Sequence, residues 1–332
     1  MANFQTSGRS IYDMAKNLDA NGNSIKTAEV LMTQSNILKD APVKKANNIL
    51  THKETFRTGL PSAEVKRLNQ GVGGSFPSRD NVEFGLKNYQ SLPWIDTMEF
   101  VYAKNPDEVR QDNMEGILMG WGQSMNADFI YDSVAANGAD SINGIAWHTR
   151  SLDGDRVVSA GGTVSATKLT SIYVVGWDLL SGAYAIVPER KGAGINFEVI
   201  GRQIIQDPND PTKNIDAEMY KVEAFLGLGT RDPRAFRRIA NIDVSSVGAT
   251  TFDETLLMRV LNDLPVALQN KKSTVIYVPK SVALAIQLRA NAKTNASFVY
   301  GQTELFGEPV MTFNGYPIRV DESISEAEDV VA

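Results

Sequence analysis

The chain of 332 residues is long enough for one large or two modest domains, and its 42% hydrophobic and 22% charged residues are ordinary for a globular protein. A net charge of −6 argues against a dedicated nucleic-acid binder, which needs a clustered excess of Lys and Arg. No cysteine is present and the only histidines are His52 and His148, which excludes thiolate and iron–sulfur chemistry and leaves Ser-His-Asp and multi-histidine metal sites without material.

Residues 1–40 are polar, without sustained period, and read as an extended arm that orders against a neighbouring chain, with a short helix expected within Ile25–Leu38. No apolar signal region opens the chain, and no run reaches the roughly 18–20 residues of a membrane span, so a soluble protein made in the cytosol is expected. Between Ala41 and Asp96, NILTHKETF and VEFGLKNY fit two strands joined by a long loop containing Gly71-Val72-Gly73-Gly74-Ser75. That glycine run lacks the GK[ST] and βα frame of a phosphate cradle.

Asn105-Pro106-Asp107-Glu108 is a strong helix start, with an Asn cap, Pro at the first position and acids in the first turn. The helix is expected to run to about Ala136, with Ile117, Trp121, Met125 and Phe129 on one apolar stripe and Gly116, Gly120 and Gly122 permitting close backbone approach. Asp153-Gly154-Asp155 lacks the ordered oxygens of a calcium loop and reads as a turn. From Lys168 to Leu228 the chain is β-rich and reads as one antiparallel sheet. The basic segment Arg231–Arg238 (RDPRAFRR) reads as a crossover, with a solvated linker and a subunit contact both open.

The last third is α/β. Phe252-Asp253 opens a helix whose broad apolar face runs through Leu256, Leu257, Val260, Leu261, Leu264 and Leu268 and is disturbed at Pro265. TVIYVP reads as a buried strand and Ser281 begins a further helix. Asn314-Gly315 is a two-residue hairpin turn that sets Phe313 against Tyr316 and Thr312 against Pro317. Pro317 cannot donate a ladder bond, so its strand belongs at an edge or turns that position away from a partner. Asp216, Glu218 and the tail acids Asp321, Glu322, Glu326, Glu328 and Asp329 have no adjoining base or nucleophile, and the tail is expected to be solvated.

The run Asp253–Ile324 resembles the end of tailed-phage major capsid proteins with the Hong Kong phage-type fold. A helix leads to TVIYVP, then to SVALAIQLR, and after a loop to Gly315-Tyr316-Pro317-Ile318 followed by Asp321-Glu322. GLGTRDPRAFRRIANID (Gly227–Asp243) is similar to what short-tailed phages of the epsilon-fifteen type carry before this block. The resemblance implies an α+β fold with an N-terminal arm (1–41), an extended loop (42–97), a peripheral domain (98–232) holding a spine helix (105–136) and strands (168–228), an axial domain (233–325) and an acidic tail (326–332). In the commoner family order, peripheral strands follow the GYPI-type strand. Too few residues remain here, which implies a rearranged strand order.

The implied function is a major capsid protein forming hexamers and pentamers of an icosahedral shell around double-stranded DNA. Scaffolding, portal and possible decoration proteins are the implied partners, with DNA contacted non-specifically at most and no membrane involved. The protein would be made in the host bacterial cytoplasm and end in the virion. No catalytic, cofactor-binding or metal-binding residue is nominated, and no enzyme activity is expected. The rival readings are an encapsulin-like nanocompartment shell and a soluble carboxylate-dependent hydrolase.

Overall fold

The computed structural model describes residues 35–49, 51–103, 105–163, 166, 168–189, 195–207, 210, 212–245, 252–291, 298–301 and 310–332. The part of the arm before Ser35, including most of the helix expected within Ile25–Leu38, lies outside them. The first described element is α1 (Asn36–Asp40), capped by Ser35, whose side chain accepts from Leu38 N. Ile37, Leu38 and Ala41 are buried, so the last residues of the expected arm belong to the core.

Strand β1 (Val43–Lys45) leads into β2 (Thr51–Gly59) and β3 (Ser78–Gly85), which pair only with each other as an antiparallel hairpin. The two strands and intervening loop agree with the sequence pattern. However, β1 and the following strands β4 (Lys87–Ser91) and β5 (Trp94–Asp96) join the main sheet, so the free-standing part is shorter than 42–97. Helix α2 (Thr97–Tyr102) follows.

Helix α3 (Pro106–Tyr131) starts as expected: the Asn105 side chain accepts from Asp107 N, and Pro106 needs no donor in the first turn. It stops at Tyr131, short of Ala136. Asp132 takes an extended conformation, and its buried carboxylate accepts from Lys87 Nζ, Asn137 Nδ2 and the backbone N–H groups of Ser133 and Ile142. These bonds replace the helical ladder, and Ser133 caps a new short helix, α4 (Val134–Asn137). Met125 and Phe129 of the expected stripe are buried, and Trp121 packs against the same core. Cβ atoms placed at Gly116 and Gly120 would meet nothing within 4 Å, so no close approach occurs there among the described residues.

After α5 (Ile145–His148) and β6 (Val157–Ser159) come β7 (Leu169–Gly176), β8 (Ala183–Val187), β9 (Ile195–Gln206) and β10 (Asn214–Thr230). These strands do not form the single sheet expected of 168–228. Strands β8, β9 and β10 lie with β1, β4 and β5 in a six-stranded sheet. Strand β7 instead lies inside a seven-stranded sheet of order β13-β14-β15-β12-β7-β11-β6. Every residue of β7 is buried, which requires covered faces and a neighbour on each side, and a central position supplies both.

The seven-stranded sheet is completed by β11 (Phe236–Asp243), β12 (Thr274–Val278), β13 (Phe298–Gly301), β14 (Val310–Phe313) and β15 (Tyr316–Val320). Helices α6 (Glu254–Asn262) and α7 (Lys280–Asn291) bury Leu257, Val260, Leu261, Val282 and Ile286 against it. The α6 stripe breaks after Asn262, and Pro265 precedes a separate 3-10 turn that returns Leu268 to the other core. That second core lies under α3 and draws on both sheets, through Tyr173 and Tyr277 on one side and Ala185 and Leu226 on the other.

The turn at Asn314-Gly315 has φ values of 50° and 84°, and the register sets Phe313 against Tyr316 and Thr312 against Pro317. Strand β15 lies between β14 and β12 and is no edge. Pro317 fits because alternation in a two-residue hairpin leaves the Thr312 pair without ladder bonds, while the register with β12 begins only at Ile318.

Candidate assembly surface

The N-terminal segment enters the body at a polar joint. Ser35 Oγ donates to Asn126 Oδ1 of α3 at 2.7 Å, and Asn126 Nδ2 donates to both carboxylate oxygens of Asp321 at 2.7 and 2.8 Å. Asn36 Nδ2 donates to the Val320 carbonyl at 2.6 Å. Asp40 accepts from Tyr277 Oη at 3.0 Å and from Arg319 Nη2 at 3.3 Å. Burial raises the pKa of both Asp40 and Asp321 despite these donors. The joint therefore ties the start of the described chain to α3 and to β15.

Beyond its root, the β2–β3 hairpin stands apart. A small apolar cluster of Ala46, Phe84, Leu86, Tyr184 and Ile186 holds its base. Beside it, Glu54 accepts from Lys44 Nζ at 2.6 Å and Tyr184 Oη at 2.9 Å, lies 3.1 Å from His52 Nε2, and has Arg231 Nε at 3.7 Å. Burial alone would raise the Glu54 pKa, but the Lys44, Tyr184 and His52 hydrogen bonds outweigh it and bring it down to about 2. Outward from this anchor the loop exposes Leu60, Val65, Leu68 and Phe76, each at least 80% accessible. Apolar residues left so open on a projecting loop are the mark of a contact surface.

Asp321, Glu326 and Glu328 differ from the expectation of a solvated end, whereas Glu322 and Asp329 are exposed as expected. Glu328 pairs with Arg238 Nη2 at 2.9 Å, both side chains being 6% exposed. It also accepts from Tyr131 Oη at 2.5 Å, Tyr173 Oη at 2.9 Å and the Ser171 hydroxyl. Two backbone bonds tie Val331 to Asn241 and Leu152 to the terminal residue: Val331 N donates to Asn241 Oδ1, and Leu152 N to the Ala332 carbonyl. Glu326 accepts from Ser281 N. A chain end is solvated only when nothing offers it donors, and here four elements do.

Among the other acids, Asp216 pairs with Arg202 and Glu218 with Arg110. Asp153 accepts from the backbone N–H groups of Asp155, Arg156 and Val157, with Gly154 at φ 75°, which is the turn read from the sequence. His52 lies against Glu54, while His148 stacks on Phe236 at 4.9 Å, so the two histidines occupy separate environments. Among the described residues, no three or more His, Asp or Glu side chains are arranged to hold a metal ion, and no helix is long and apolar enough to cross a membrane.

Comparison with known proteins agrees with this architecture. A cryo-electron microscopy structure of bacteriophage Epsilon15 contains a chain that is 21% identical, with a TM-score of 0.64, covering 100% of this chain and 99% of that one. The bacteriophage JBD30 capsid matches at 12% identity and a TM-score of 0.50 over 96% of each chain. An encapsulin from Synechococcus elongatus PCC 7942 shares 10% identity over 63% of this chain and 88% of that one, with a TM-score of 0.44. No curated protein sequence matches. The family model described as Major capsid protein GP7 matches residues 19–332, and the chain belongs to that family of bacteriophage major capsid proteins.

Proposed function

We propose that the chain is the repeating subunit of an icosahedral head shell, grouped in hexamers and pentamers and enclosing double-stranded DNA without reading its sequence. The observation that carries the reading is the β2–β3 hairpin, whose Leu60, Val65, Leu68 and Phe76 are at least 80% exposed among the described residues and would be covered on a neighbour. In this reading residues 1–34 belong to the N-terminal arm, the hairpin is the extended loop, and the six- and seven-stranded sheets carry the peripheral and axial domains. Assembly would begin on a scaffold in the host bacterial cytoplasm, with a portal at one vertex, and packaging would move the arm and hairpin most. The role is structural, with no catalysis.

The test is electron microscopy and size-exclusion chromatography of the full chain expressed alone and with its neighbouring phage genes. Closed shells with DNA inside after infection are expected. A compact monomer or dimer under all conditions would overturn the reading, and shells that hold a protein cargo and no DNA would replace it with a storage compartment.

A further inference from the structure

The basic segment Arg231–Arg238, which runs from the end of β10 into β11, is only partly explained by bonds among the described residues. Arg231 faces Glu54, Arg234 pairs with Asp232, and Arg238 pairs with Glu328. Among the described residues, Arg237 is bonded to no carboxylate. It is 3% exposed, its Nη1 donates to the Asp155 carbonyl at 2.6 Å, its Nη2 donates to the Asp263 carbonyl, and its Nε has no partner. Burial of this guanidinium lowers its pKa, because the attraction of nearby Asp263, Asp153 and Asp155 offsets only part of the cost of holding the charge away from water.

Arg237 forms part of the wall of a solvent-open cleft of about 480 Å³, together with Asp153, Asp155, Arg156, Arg234 and Asp263. Arg156 commits only its Nε to Asp153, and Arg234 commits Nε and Nη2 to Asp232. Each guanidinium has five N–H groups, so both rim arginines keep donors for a further acceptor. The cleft acids are less free: Asp153 is held by its turn and Arg156, and Asp263 has Arg259 at 3.9 Å. That leaves the Arg237 charge against the Asp155 carboxylate at the mouth.

We propose that this cleft is an intersubunit socket in which Arg237, Arg156 and Arg234 receive one carboxylate side chain from a second copy of this chain. The partner follows from charge. Asp153, Asp155 and Asp263 around the opening repel a polyanion with adjacent phosphates, whereas a single Asp or Glu can reach between them. Every copy offers such groups, with 39 acidic against 33 basic residues. The inference rests on the shell reading for its partner, and a small carboxylate probes the socket without that reading.

The experiment uses the full chain with Arg237→Met and Asp155→Asn variants. Particle formation is measured by sedimentation against protein concentration, and melting of the unassembled chain is followed in sodium acetate and in sodium chloride at equal ionic strength. Arg237→Met is expected to melt at or above the wild-type temperature, because removing a buried charge that its neighbours only partly offset relieves the fold, yet to need about tenfold more protein to form particles. Asp155→Asn is expected to assemble at lower concentration with unchanged melting. Acetate is expected to raise wild-type melting above chloride and to lose this effect in Arg237→Met. Wild-type assembly by Arg237→Met, or a lowered melting temperature in both variants, would overturn the proposal, the second by making Asp155 the internal counter-ion. An acetate effect in a wild-type chain that forms no particles would keep the socket and count against the shell reading instead.

Discussion

His148 shows how one side chain sets a condition on the whole fold. Its ring stacks on buried Phe236 and meets Trp147 edge-on, and its Nε2 is enclosed without a partner. Burial, with added repulsion from Arg156 and Arg150, brings its pKa down to about 4. The folded chain thus holds a neutral ring over a range where the unfolded chain already binds a proton. Stability contributed by His148 is complete above about pH 6.5, falls as the pH drops toward 4, and is gone below that. The gap corresponds to about 3 kcal/mol at the acid limit. His148→Phe keeps the stack and removes the titration, so its melting temperature should fall less than that of wild type between pH 7 and pH 4.5; parallel curves would refute the assignment. Side chains of this kind differ in legibility. The scarcity of histidine is visible in the sequence, but its burial is not. Glu328 is less visible still, because its partners Tyr131, Ser171, Tyr173 and Arg238 lie 90 or more positions away. Read alone, it is one acid in an acidic tail.

At the scale of elements, short-range rules carried furthest where the backbone leaves little choice. Asn314-Gly315 demands positive φ at both positions, and the hairpin follows with its register. Gly315 has φ 84°, and a Cβ there would lie 3.0 Å from the Lys271 side chain, whose far end can move. Backbone strain therefore decides the outcome. Gly315→Val should cost about 2–3 kcal/mol and Gly315→Ala less, since a β-branched residue resists the left-handed region most. Equal denaturation midpoints for Gly315→Val and wild type would exclude this turn geometry. The same local reasoning missed the end of α3, because Asp132 ends that helix with donors from Lys87 and Ile142, outside any helical window. It also placed β7 in the wrong sheet, because a fully apolar strand announces burial without naming its neighbours.

At the scale of the molecule, the N-terminal segment must be divided. Composition alone makes residues 1–41 a uniform arm, but a polar average hides Ile37 and Leu38, which are 0% and 2% exposed in the core beneath α3. Ser35 and Asn36 add the bonds to Asn126 and Val320 that fix where the segment enters. A deletion of residues 1–34 and a deletion of residues 1–38 should therefore behave differently, although only four residues separate them. The longer deletion empties two apolar sites and strips a hydroxyl donor from buried Asn126, and each lost Leu or Ile costs about 2–5 kcal/mol. Its unassembled chain should melt well below wild type. The shorter deletion leaves the joint intact, so its melting temperature should match wild type, while the proposed arm role predicts that its yield of closed shells falls. Thermal melts and particle counts on the two proteins separate these roles. Equal melting of both would remove the joint from the core, and full shell yield from the shorter deletion would remove the arm from assembly.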